Sequence, residues 1–104
     1  MSTTARFAIG DLVCHRLFDY RGVVYDVDPE FMLSERWYEE VARSRPPKDE
    51  PWYRVLVHNA TQETYVAERN LEPDQSGEPI VHPLVGTLFS GFEEGRYRPV
   101  SRGN

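Results

Sequence analysis

Residues 7–18 alternate along the chain, with Val13, His15 and Leu17 on one side and Leu12, Cys14 and Arg16 on the other, the period-two pattern of a β-strand. The polar cluster at residues 19–22 turns the chain. Residues 23–27, Val-Val-Tyr-Asp-Val, are β-branched or aromatic and predict a second strand, which so short a connection pairs antiparallel with the first. Asp28-Pro29 ends it. Ser34 is placed to accept a free first-turn N–H, with Glu35 at the positive end of the dipole and Leu33 set to staple against Tyr38, so a helix is expected over residues 35–43. Trp37, Tyr38, Val41 and Ala42 form its apolar stripe, Arg43 and Arg45 lie near its negative end, and Pro46-Pro47 stop it.

A proline-stiffened polar linker over residues 46–51 is expected to be exposed. Residues 52–57 and 63–67 flank the polar turn at 58–62 and read as a hairpin, with Tyr53, Val55 and Val57 alternating with Trp52, Arg54 and Leu56. Residues 70–73 close that strand, 76–79 form a turn, and His82-Pro83 interrupts the next apolar run before the aromatics Phe89, Phe92 and Tyr97. A last strand is expected near residues 96–100. Short strands, one inserted helix and no long parallel crossover predict a mainly β fold, a small SH3-like twisted antiparallel β-barrel with one short inserted helix.

Size and composition narrow the class. A chain of 104 residues, 39% hydrophobic and 12% aromatic, suits one domain with a modest core, so 1–104 is expected to be a single domain, with 1–6 and 98–104 as flexible ends. No apolar run approaches the ~20 residues of a membrane span, nor does the start resemble a signal peptide, so a soluble cytoplasmic protein with no membrane partner is expected. Cys14 is the only cysteine, which excludes an internal disulfide.

The net charge of −5 means that any nucleic-acid contact must be a local basic patch. Residues 26–50 are rich in acids, whereas 96–104 carry Arg96, Arg98 and Arg102 and no acid. Trp52, Tyr53 and Tyr65 near Arg21 and Arg54 form a candidate base-stacking and phosphate surface, to be weighed against simple core packing. If DNA is the ligand, Arg21, Arg54, Arg69 and the tail arginines Arg96 and Arg98 are its phosphate contacts.

No catalytic chemistry stands out. Adjacent strand residues point to opposite faces, so Cys14 and His15 cannot readily share a metal or form a dyad, and neither His58 nor His82 belongs to a metal-binding spacing. Asp26 and Asp28 face one way but read as solvated strand-end carboxylates. Glycine-rich phosphate loops and the Gly-x-Ser-x-Gly elbow are missing from the sequence. No enzymatic activity, cofactor or metal is expected.

Five blocks in order, Phe7-x-Ile-Gly-x-x-Val-x-His, Tyr20-Arg-Gly-Val-Val-x-Asp-Val-Asp-Pro29, Pro51-Trp-Tyr-x-Val-Leu-Val57, Tyr65-Val-Ala-Glu-x-Asn-Leu71 and Ser76-Gly-Glu-Pro-Ile-x-His-Pro83, resemble the HspQ family, also described as hemimethylated-DNA-binding or YccV-like proteins. The resemblance runs from Phe7 through Tyr97. It implies a self-associating, heat-induced SH3-like barrel with two described roles. One is binding hemimethylated double-stranded DNA; the other is acting with the Lon protease to enhance degradation of selected substrates. It transfers no catalytic residue. An oligomeric interaction protein without a nucleic-acid ligand is the alternative.

Overall fold

The computed structural model describes residues 4–100. The fold is mainly β and SH3-like. Strands β1 (Leu12–His15), β2 (Arg21–Asp28), β3 (Trp52–Val57), β4 (Glu63–Ala67) and β5 (Leu71–Pro73) form one antiparallel sheet in the order β4-β3-β2-β1-β5. A 3₁₀ turn, Glu68–Asn70, carries the chain from β4 to β5, which crosses to pair with β1. Helix α1 (Glu35–Val41) is inserted between β2 and β3. A second helix, α2 (Val85–Leu88), leads into the two-stranded hairpin β6 (Phe89–Glu93) and β7 (Arg96–Pro99). The barrel is open, with β4 and β5 as the edges of the five-stranded sheet.

Apolar residues on both faces of the sheet explain its unbroken runs. Val13, Val24, Tyr53, Val55, Val66 and Leu71 pack with Phe7 on one face, while Leu12, Val23 and Leu56 pack on the other with Ile80, Phe89 and Tyr97. Consecutive residues Val23 and Val24 are both fully buried because each enters a different core. The β6–β7 hairpin and the segment before it roof the second core, and the Tyr97 hydroxyl both accepts from the Ile80 N–H (2.9 Å) and donates to its carbonyl.

A third cluster fixes α1. Tyr38, Trp52 and Ala67 are buried together, with Phe31, Trp37 and Tyr65 packed around them. Seven residues are too few for a helix to hold alone, so packing and capping sustain it. Ser34 Oγ accepts from the Trp37 N–H at 3.0 Å, as the sequence predicts.

Several expectations are corrected. The helix ends at Val41, because Ala42 leaves helical geometry (ψ 70°), and its last turn carries no basic residue. Arg45, at φ 50°, ion-pairs with Glu39 at 3.1 Å instead. Residues 46–51 are not an exposed strap: Pro46 and Pro51 are fully buried, and the carbonyls of Pro46 and Pro47 accept from the Tyr38 hydroxyl (2.7 Å) and the Trp52 indole (3.0 Å). Residues 70–73 do not simply close a strand but begin β5 against β1. Arg98 and Pro99, expected in a flexible end, belong to β7, whereas residues 1–3 and 101–104, including Arg102, lie outside the described residues. Among the described residues no helix is long and apolar enough to cross a membrane.

Candidate nucleic-acid interface

The residues singled out by sequence fall into three environments. Trp52 is 1% exposed and spends its surface on Tyr65, whose ring stacks on it at 5.2 Å. Its partner in the expected aromatic surface, Tyr53, is likewise fully buried. Arg21 is held against Asp74 at 3.1 Å and donates to the Glu78 carbonyl, so it clamps the turn after β5. Burial opposes ionisation of Asp74, but hydrogen bonds from Arg21 and Ser76 outweigh it and hold the carboxyl below the usual range. Arg96 and Arg98 are paired with Asp11 (3.2 Å) and Glu93.

Arg54 and Tyr65 do meet, as expected. The guanidinium lies 4.8 Å over the Tyr65 ring and 3.8 Å from Asp26. The Tyr65 hydroxyl donates to Asp28 Oδ2 at 2.7 Å and accepts from the Met32 N–H at 3.0 Å. Burial, then donation to Asp28, pushes the phenol well above its ordinary range. Asp26 and Asp28 are therefore occupied by Arg54 and Tyr65 rather than free for acid–base work. Burial, followed by Asp19 and Glu72, raises the Cys14 thiol pKa and disfavours the thiolate.

Arg69 is different. It is exposed on the 3₁₀ turn and forms no ion pair among the described residues, and three other arginines share that condition: Arg6, Arg16 and Arg43. The segments that carry them meet at the 3₁₀ turn. The Arg6 N–H donates to Glu68 Oε1 (2.8 Å) and Arg16 Nη1 to the Arg69 carbonyl (3.1 Å), while Asn70 Nδ2 reaches Ser44, the residue after Arg43. Every other Lys or Arg among the described residues is neutralised by a carboxylate. A chain with net charge −5 thus gathers its uncompensated cations around the 3₁₀ turn. Positions 6, 16, 43 and 69 are scattered along the chain, and only the fold unites them.

Beside this patch stand Leu17 and Phe18, 57% and 70% exposed. His15 holds them there: its Nδ1 accepts from the N–H groups of Leu17 and Phe18, both at 3.1 Å, and its ring stacks on Phe18 at 4.7 Å. Burial lowers the His15 pKa, favouring the neutral ring that this acceptor role requires. A groove of about 930 Å³ runs from these residues along β4 to α1. Among the described residues no cluster of His, Cys, Asp and Glu is arranged to hold a metal ion.

The family model described as hemimethylated DNA-binding protein YccV-like matches residues 5–96.

Proposed function

The chain belongs to the YccV-like family, and from that premise we propose that it binds hemimethylated duplex DNA through the arginine patch around the 3₁₀ turn. The observation that carries this reading is that the segments bearing Arg6, Arg16, Arg43 and Arg69, which have no carboxylate partner among the described residues, meet at the 3₁₀ turn. Free guanidiniums neutralise phosphates and release counterions, whereas Arg21, Arg96 and Arg98 would first have to leave Asp74, Asp11 and Glu93. Arg54 lies over the Tyr65 ring beside the groove, and to extend the contact it too would first have to leave its carboxylate, Asp26 at 3.8 Å. Leu17 and Phe18 supply the apolar contact with which a methyl group in the major groove is read.

The test is fluorescence anisotropy with matched hemimethylated, unmethylated and fully methylated duplexes at two salt concentrations. The hemimethylated duplex binds most tightly. Arg16→Gln and Arg69→Gln weaken all three and flatten the salt dependence, the slope falling by roughly one for each phosphate no longer neutralised. Phe18→Ser reduces the preference for the methylated state. State-independent binding by the unaltered protein overturns the reading.

A second, protein-directed role is favoured by the apolar side chains around the groove, where Leu17, Phe18 and Val41 are all more than half exposed. In it the protein acts as a non-catalytic factor that raises degradation of selected substrates by the Lon protease, with self-association burying further surface. Adding the protein to Lon, ATP and a susceptible substrate checks it: turnover unchanged across protein concentrations excludes this role. In both readings the chemistry is binding.

A further inference from the structure

The open edge of β4 lies in the groove. In the β3–β4 ladder the Val57 N–H donates to the Gln62 carbonyl and the Glu68 N–H to that of Pro51, so the bonded pairs are 57/62, 55/64, 53/66 and 51/68. Glu63, Tyr65 and Ala67 fall between them, and their backbone groups point away from β3. Among the described residues the N–H and C=O groups of Glu63 and Tyr65 and the Ala67 N–H have no hydrogen-bond partner, whereas the Ala67 carbonyl opens the 3₁₀ turn, and β4 is an edge of its sheet. Such an edge is a template for another strand.

Both sides of that template are apolar. Leu17, Phe18 and Tyr20 border it on the Thr64 and Val66 side, and Trp37, Val41 and Ala42 on the Tyr65 and Ala67 side. Side chains of an added strand alternate between these two walls, so both rows must be apolar. At the 3₁₀ end the groove is lined by Arg43, Ser44 and Asn70, and Arg69, the exposed residue before Asn70, lies next to it in the chain with Arg16 bonded to its carbonyl.

We propose that β4 accepts an extended peptide as a sixth strand, a run of about five β-branched or aromatic residues whose acidic flank lies against Arg43 and Arg69. Runs apolar on both faces are buried in folded sheets, so the partner of this chemistry is an unfolded or loosely held segment of another protein. The proposal depends on neither reading above, since it requires no DNA and no protease.

The probe is a fluorescein-labelled peptide, Gly-Ser-Val-Ile-Val-Phe-Val-Asp-Glu-Glu, titrated with the intact protein. Saturable binding is expected. N-methylating alternate amides of the peptide leaves the protein untouched but removes the strand hydrogen bonds, and weakens binding about tenfold or more. Val41→Ser and Phe18→Ser, both at exposed positions, each weaken it severalfold. Arg43→Glu with Arg69→Glu shifts preference to the same peptide ending in three lysines. Equal affinity for the N-methylated peptide, or indifference to the rim substitutions, overturns the proposal. So does failure to bind at all; if sedimentation then shows an oligomer that Val41→Ser dissociates, a second copy is the edge's partner. Displacement of bound peptide by a duplex shows only that the arginines are shared, and loss of DNA binding leaves the strand-addition result standing.

Discussion

At the scale of single residues, two positions tie backbone geometry to the surface the protein presents. Gly10 has φ +100°, and a Cβ there would collide with the Tyr97 carbonyl, in the strip where Gly10 bonds to both Val24 and Tyr97. Gly10→Ala combines the steric clash with left-handed strain and is expected to cost about 3 kcal/mol or to prevent folding, read from urea unfolding and yield of folded protein. His15 sets a pH dependence. Its pKa is lowered by burial, so the unfolded chain binds the proton more readily than the folded one. Stability is then full above the ordinary histidine value of about 6.5 and falls as the pH drops through the lowered folded value. Protonation also removes the acceptor that holds Leu17 and Phe18. Urea midpoints at decreasing pH are expected to fall, and His15→Gln is expected to remove this component from the profile.

At the scale of elements, α1 shows how a marginal helix is kept. Its Ser34 cap and the Tyr38–Pro46 hydrogen bond flank one buried aromatic, and the prolines after it are packed rather than loose. Ser34→Ala is expected to lower stability by about 1 kcal/mol, measured by chemical denaturation. Because α1 forms one wall of the groove, the same substitution is expected to weaken peptide binding while leaving binding to unmethylated duplex within about twofold, since surface changes away from a contact cost little. The β6–β7 hairpin turns through Glu94 and Gly95, both at positive φ, as two-residue hairpin loops favour. Glu-Gly is a weaker signal for such a turn than Asn-Gly, which explains why β6 does not stand out in the sequence.

At the scale of the whole molecule, charge pairing separates the neutralised cations from those that the proposed DNA contact uses. Among the described residues seven ion pairs hold cations in place, and the segments that carry the four left over meet at the 3₁₀ turn. With four phosphate contacts, affinity for duplex is expected to fall about a hundredfold between 50 and 200 mM salt. Anisotropy titrations across that range check it, and a flat dependence would place recognition elsewhere.

Local pattern by itself determined the strand character of residues 12–15, 23–27, 52–57 and 63–67, the hairpin bounds of β3 and β4, and the Ser34 cap, because alternation, turn residues and capping act over a few residues, whereas Arg21 and Gly22, which read as a turn, already belong to β2. It determined too that Arg54 and Tyr65 lie together, since they face each other across that hairpin. What the tertiary structure decided are the properties of distance: that Trp52 is core rather than contact, that Arg21, Arg96 and Arg98 are neutralised, and that residues 46–51 pack inward. Ion pairing and burial depend on partners up to 85 positions away, as Asp11 and Arg96 are, and a sequence window contains no such partner. The meeting of the segments that carry Arg6, Arg16, Arg43 and Arg69 is of the same kind, made at the 3₁₀ turn that brings β5 back to β1.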